Sequence, residues 1–244
     1  MEIFWILLFL LSPVVFGFFA WGCGKKNPAV SQMVAIGGTA VSAVLSVVLL
    51  FLFRDGTEIV AGPFLGDAFS FSFGRFRGIY CAVISFGWLL AGLFSVQYFQ
   101  KHGNKSRFWF FYLLTLTGTL GVFFAGDLVT LFVFFELMSF SSFVWVIHDE
   151  NTSAFRASRT YMTVTVISGM CLLMGLFLLY HALGTLSVSA LPAALLVSSR
   201  QHLLFPAGIF LLIGFGAKAG AFPLHIWLPK AHSVSPAPAS ALLS

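Results

Sequence analysis

Charge is what this 244-residue sequence has least of. Lys, Arg, Asp and Glu together make up 9% of it, where a soluble domain carries about 25%. That scarcity excludes a large soluble helical core, because the helices would have no polar faces to offer water. Cysteine is sparse too. Cys23, Cys81 and Cys171 stand apart, with no C-x-x-C pair and no metal-ligand spacing. They provide no framework for an iron–sulfur cluster, a zinc site or a disulfide scaffold. The chain has no nucleotide, flavin or cluster motif, so no cofactor and no metal are expected in it, and redox chemistry would have to sit in another chain. Low-complexity tracts, clear linkers and soluble domains are missing as well. The formal charge of +5 comes from basic residues scattered over short loops. They form no single patch of the kind a nucleic acid requires.

What is abundant is apolar surface. Hydrophobic residues make up 59% of the sequence and aromatics 17%. Runs close to the roughly 20 apolar residues that a bilayer core demands occur at Ile3–Trp21, Gln32–Phe53, Gly78–Phe99, Phe108–Ala125, Leu128–Ile147, Tyr161–Leu183 and Leu203–Ala221. The expected fold is an all-α polytopic membrane protein with about seven transmembrane helices plus the start of an eighth. The first run is expected to be a membrane helix and not a signal peptide, since Glu2 is its only early charge and a basic n-region is missing.

Loop charges set an expected orientation. Lys25, Lys26, Lys101, Lys105, Arg107, Arg156 and Arg159 fall in loops on one side; Arg54, Arg75, Arg77 and Arg200 fall on the other. The positive-inside rule then places the N-terminus outside. In the longest outer loop, 54–77, the stretch Ala68–Phe73 alternates apolar and polar residues as a strand does, which suggests a short hairpin over the outer surface. The outer loop near Gly184–Gln201 is expected to be partly helical.

Of the 21 charged side chains, all but two sit in loops or near segment ends. The exceptions are Glu136, midway along the fifth segment, and Lys218, in the seventh. An ionisable group at the centre of a membrane helix costs about 2.5–3.5 kcal/mol on insertion scales, so it normally faces a bundle interior or wet cavity and has a partner. One reading is a buried ion pair that only locks two helices; desolvation can cancel the Coulomb gain of such a pair. The other is functional. Desolvation disfavours charge on both groups and mutual attraction favours it, so a pair balanced between the two can change protonation when its separation changes.

The surroundings of Lys218 favour motion or close access. Gly216 and Gly220 form a small-xxx-small pair around it, which permits close approach of another backbone. Pro223 removes an amide donor. A spanning helix interrupted by Gly and Pro is the sequence sign of a broken helix at a transport site. Beyond the break, His225, Lys230 and His232 could serve a proton entry or exit path, or be ordinary interfacial residues. His148 and His181, at segment ends, read as interfacial.

The runs DLVTLFVFFELMSFSSFVWVIH, AFRASRTYMTVTVISG and GFGAKAGAFPLHIWLPKAHSVSPAPASALLS resemble the antiporter-like subunits of respiratory complex I, of multisubunit cation/proton antiporters and of membrane-bound hydrogenases. The resemblance implies that Glu136 is the glutamate of the family's fifth helix and Lys218 the lysine of its broken seventh helix, a pair coupled to proton movement along a hydrophilic axis. Lys230 stands where complex I subunits often carry an acid, and LPKAH looks closer to the hydrogenase and formate-hydrogenlyase branch. Phe135 stands where a tryptophan commonly precedes the glutamate. Family members have about fourteen helices in two inverted repeats. This sequence would therefore be one transmembrane domain, with helices one to three over 1–106 and an incomplete first repeat over 107–244. Ser235-Pro236 looks like the N-cap and first turn of an eighth helix.

The expected setting is a bacterial or archaeal cell membrane, as a multi-pass subunit among other membrane subunits, one of which would supply the second repeat. The expected activity is proton translocation, with Na⁺ as the alternative ion, in a redox-driven pump; half of a split cation/proton antiporter subunit is a further form of it. Two other classes stay open. One is a non-conducting assembly subunit that keeps the pair as a relic. The other is a retinal-binding protein with a Schiff-base lysine, against which stand the acid in helix five and the break just after the lysine.

Overall fold

The computed structural model describes residues 2–53, 56–64, 67–102 and 106–244. Seven of its helices are long and apolar enough to cross a membrane. They are α1 (Glu2–Gly24), α2 (Pro28–Leu52), α3 (Arg75–His102), α4 (Ser106–Phe124), α5 (Leu128–Val146), α6 (Thr152–Leu183) and, after the short α7 (Leu191–Val197), α8 (Leu204–Lys218), whose span of Gln201–Lys218 includes the 3-10 turn ahead of it. Two further short helices, α9 (Trp227–Val234) and α10 (Ala237–Leu243), follow the end of α8. Large apolar side chains remain exposed on the outer faces, among them Phe18, Val44, Val83, Met170 and Phe205. A protein that is apolar on both its inner and its outer faces is solvated by lipid, and the architecture is that of an all-α polytopic membrane protein.

The main core lies among α1 to α4. Phe108, Trp109, Tyr112, Leu116 and Phe124 of α4 are fully buried there. Trp88 of α3 donates its indole N–H to the carbonyl of Tyr112 at 3.3 Å, and the Tyr112 hydroxyl donates back to the carbonyl of Trp88. α4 and α5 approach closely where Gly118 lies against the Met138 backbone; a Cβ on Gly118 would fall 2.6 Å from the Met138 nitrogen.

The loop between α2 and α3 forms the expected hairpin: β1 (Thr57–Phe64) pairs antiparallel with β2 (Asp67–Phe73), with a bulge between Val60 and Gly62. Alternate residues of the hairpin face inward, and Ile59, Phe71 and Phe73 are buried. Phe73 packs on Phe124 with ring centres 4.8 Å apart. Asp127 fastens this hairpin to the membrane helices. It is 1% exposed, caps α5 by accepting the Thr130 amide at 2.7 Å, and accepts the Ser70 amide and hydroxyl at 2.7 and 3.0 Å. Backbone bonds join the same knot to the α6–α7 connection, from Leu128 N–H to Leu186 and from Val188 N–H to Gly126. Arg77 donates to the carbonyls of Ala125 and Ser72. On the opposite side, Arg107 binds the His148 carbonyl at 2.8 Å and pairs with Glu150.

Three expectations need correction. Arg156 and Arg159 are not in a loop. They lie in the first turns of α6, which starts at Thr152 under an Asn151 cap that accepts the Ala154 amide at 2.7 Å. The close approach on α8 is at Gly214 and not at Gly216: a Cβ on Gly214 would fall 2.7 Å from the Leu172 Cβ and 3.1 Å from the Ser168 carbonyl oxygen, whereas one on Gly216 would meet only the Ala221 Cβ at 3.5 Å. Ser235 is the C-cap of α9 and not an N-cap; its hydroxyl bonds back to Ala231, and α10 starts behind Pro236 without a side-chain cap. Arg54 and Lys105, counted among the loop charges, lie outside the described residues.

Candidate functional site

α8 stops in mid-protein, and glycine is what stops it. Its last helical residue is Lys218. Gly220 then takes a left-handed conformation, φ +73°, which L side chains disfavour. The Ala221 amide bonds the Gly216 carbonyl at 2.8 Å and the Gly220 amide bonds the Ala217 carbonyl at 3.3 Å. This is the Schellman arrangement, with glycine at its usual position. Trp227, at the start of α9, adds an indole N–H to the Ala217 carbonyl at 2.7 Å. Pro223 follows in the non-helical link. Together these contacts tie the start of α9 to the last turn of α8 and place Lys218 at the turn.

The Lys218 ammonium donates to the Tyr161 hydroxyl at 2.7 Å. It also lies 5.1 Å from the centre of the Tyr161 ring and 5.8 Å from that of Trp227, within cation–π range. The two rings meet edge to face at 5.2 Å, and both belong to a buried cluster with Val146, Ala157 and Ala231. Tyr161 is held in turn from α5. Its oxygen is 2.7 Å from Ser142 Oγ and 3.2 Å from the Ser139 carbonyl.

Glu136 is half-buried on α5. Its carboxyl rests on Gly169 of α6, where a Cβ would fall 2.7 Å from Oε1 and 3.1 Å from Oε2. Oε1 is fully buried and accepts no hydrogen bond from the protein; Ser139 Oγ, one turn along, is likewise buried and unpaired. Among the described residues Glu136 and Lys218 form no direct ion pair. The Lys218 ammonium is bound at the level of Tyr161 and Ser142, six residues and about 9 Å of helix rise further along α5 than Glu136.

The remaining candidates scatter. His225 stacks on Phe222 at 5.6 Å with a buried, unpaired Nδ1. Lys230 is exposed and donates to Thr160 at 3.4 Å. His232 Nδ1 lies 2.8 Å from Ser240 Oγ, joining α9 to α10. None of the three contacts Lys218. Sequence reasoning missed Tyr161, Ser142 and Ser139, since a tyrosine and two serines inside apolar runs carry no charge to mark them. Phe135, noted only as standing in for a tryptophan, packs on Phe215 at 5.4 Å and joins α5 to α8 beside Glu136.

Residues 125–244, which hold all of these groups, match the family described as NADH:quinone oxidoreductase/Mrp antiporter, TM. The chain is 29% identical over 246 residues to a Na⁺/H⁺ antiporter subunit of Bacillus subtilis, covering 97% of this chain and 48% of that one. It is 37% identical over 153 residues to the putative antiporter subunit mnhA2 of Staphylococcus saprophyticus, covering 62% of this chain and 19% of that one. It spans less than half the length of these curated relatives. Two solved structures share the fold. The archaeal membrane-bound sulfane sulfur reductase matches with a TM-score of 0.85 at 21% identity, covering 96% of this chain and 49% of that one. Respiratory complex I from Thermus thermophilus matches with a TM-score of 0.81 at 23% identity, covering 98% and 49%.

Proposed function

We propose, for a chain that belongs to the antiporter-like membrane subunit family, that it carries or couples cation/proton translocation in a multisubunit membrane complex, with Glu136 and Lys218 as the working pair. The observation that carries this is the state of the two groups. One buried carboxylate oxygen has no donor, and an ammonium one helix away is held by a single neutral hydroxyl. A structural ion pair would be closed, because leaving either charge unmatched costs more than the closed pair returns. Groups that must exchange a proton or respond to a neighbouring charge are found apart in one of their states.

Within the family, LPKAH favours the hydrogenase-type branch, whereas the relatives named above are cation/proton antiporter subunits. We read the ion as H⁺, with Na⁺ as the alternative, and the parent complex as supplying any redox centre. The test is Glu136→Gln and Lys218→Met in the assembled complex, assayed for ion transport in membrane vesicles. Each is expected to lower transport by about ten-fold or more, a barrier increase of at least about 1.4 kcal/mol, with assembly unchanged. Wild-type transport by both variants would refute the role, and would leave the chain as a non-conducting assembly subunit.

A further inference from the structure

Lys218 is kept from Glu136 by an uncharged residue. Tyr161 is 1% exposed, and its hydroxyl is the hydrogen-bond acceptor for the ammonium. The direction of the bonds in this cluster follows from what each atom can donate. An ammonium only donates, so the Tyr161 oxygen accepts from Lys218. The Tyr161 O–H is then free to donate toward α5, where Ser142 Oγ is the nearer acceptor at 2.7 Å. The Ser142 O–H donates to the Ser139 carbonyl at 3.0 Å. The chain therefore runs Lys218 to Tyr161 to Ser142 to Ser139, with every donor pointing away from the lysine. It ends on a backbone carbonyl, which cannot pass a proton on. This is a seat built for an ammonium, and it is not a wire leading out of the site.

A second seat lies within reach. A helical side chain leans toward the N-terminus of its own helix. From Lys218 that direction is toward Gly214, which packs on Ser168 and Leu172 of α6. Glu136 rests on Gly169 at that same level. The long lysine side chain has other staggered wells, and the one leaning toward Gly214 would carry its tip toward the Glu136 level.

We propose that Tyr161 is a positioning residue for Lys218: its hydroxyl provides a seat alternative to the Glu136 carboxylate, and the ammonium passes between the two. The inference rests on the reading of Glu136 and Lys218 as the working pair. Without the Tyr161 seat, Lys218 has only the Glu136 seat left, and the switch stays closed.

The test is Tyr161→Phe in the assembled complex, which keeps the ring contacts with Lys218 and Trp227 and removes only the hydroxyl. Assembly is expected to be normal, transport to fall about five- to ten-fold, and the pH profile of transport to move by about one unit, the size expected when a charged group loses one good partner. Ser142→Ala leaves Tyr161 in place without its nearest acceptor, and is expected to move the profile the same way by less. A general packing defect would lower the rate without moving the profile. Wild-type rate and profile for Tyr161→Phe would overturn the proposal while leaving the pair reading intact; wild-type transport by Glu136→Gln and Lys218→Met would instead overturn the pair reading. If Tyr161→Phe fails to assemble, Ser142→Ala decides, and an unmoved profile there overturns the proposal.

Discussion

Gly169→Ala separates function from stability more cleanly than any charge substitution. The added Cβ would lie 2.7 Å from Glu136 Oε1, 3.0 Å from its Cδ and 3.1 Å from Oε2, where ordinary contact begins at 3.4 Å. The carboxyl has to give way by several tenths of an ångström. It can do so, because it is the free end of a flexible side chain and Oε1 has no hydrogen bond to lose. The backbones of α5 and α6 stay where they are. The stability cost is therefore expected below about 1 kcal/mol, at the low end for overpacking. On the proposed pairing of Glu136 with Lys218, the displaced carboxylate no longer meets the ammonium, and transport is expected to fall about ten-fold. Gly214→Ala is the control with the opposite balance. Its Cβ would strike the Leu172 Cβ at 2.7 Å and the Leu172 Cα and the Ser168 carbonyl oxygen at 3.1 Å, so α8 and α6 must separate, at about 1–3 kcal/mol. Thermal unfolding of the purified complex and vesicle transport normalised to protein content measure the two effects. If Gly169→Ala transports normally, or if it destabilises as much as Gly214→Ala, the placement of the Glu136 carboxyl against α6 is wrong.

Other consequences follow from single contacts. Asp127→Ala removes the α5 cap and the hairpin anchor together; with charged hydrogen bonds worth about 1.5–3 kcal/mol each, a loss of about 3 kcal/mol is expected, seen as low membrane content with near-normal transport per assembled complex. Asp127→Asn should cost less than the alanine. Gly220→Ala forces an L side chain into left-handed backbone, at about 1–2 kcal/mol, and Gly220→Asn should recover part of it; thermal unfolding reads both. Trp227→Phe strips the indole donor from the Ala217 carbonyl, which keeps the Gly220 amide; the cost is expected at about 0.5–1.5 kcal/mol, loosening the α8–α9 turn, which faster proteolysis at residues 219–226 would report.

The membrane spans were legible because lipid imposes a single simple demand on every residue of a run. The hairpin was legible from strict alternation in Ala68–Phe73, and Glu136 and Lys218 from being charges where charge is costly. What was hidden obeyed other demands. The start of α6 is polar and lies beyond its apolar run, so hydropathy assigned Arg156 and Arg159 to a loop; the cap at Asn151 was the signal that could have extended the helix. Asp127 was counted as an ordinary end charge, although an acid three residues ahead of Thr130 at the start of an apolar run is itself a capping signal. Gly214 and Gly216 are both small, and only the groove of α6 decides which of them is pressed. Tyr161 had no sequence signal at all, because its importance lies in which atom it faces.

The end of α8 shows why that last kind of residue matters most. A lysine in the final turn of a helix ordinarily bonds its own terminal carbonyls and answers the negative end of the helix dipole. Here three of the last four carbonyls of α8 already carry donors. The Ala219 amide takes Phe215, the Ala221 amide takes Gly216, and both the Gly220 amide and the Trp227 indole take Ala217. The Lys218 ammonium takes its acceptor on α6 instead, at the Tyr161 hydroxyl. The glycine that ends the helix and the tryptophan that seals it thus act jointly: with the Ala217 carbonyl taken by both, the lysine turns to a neighbouring helix, where the Tyr161 hydroxyl accepts it, and on the proposed pairing the Glu136 carboxylate is its other acceptor.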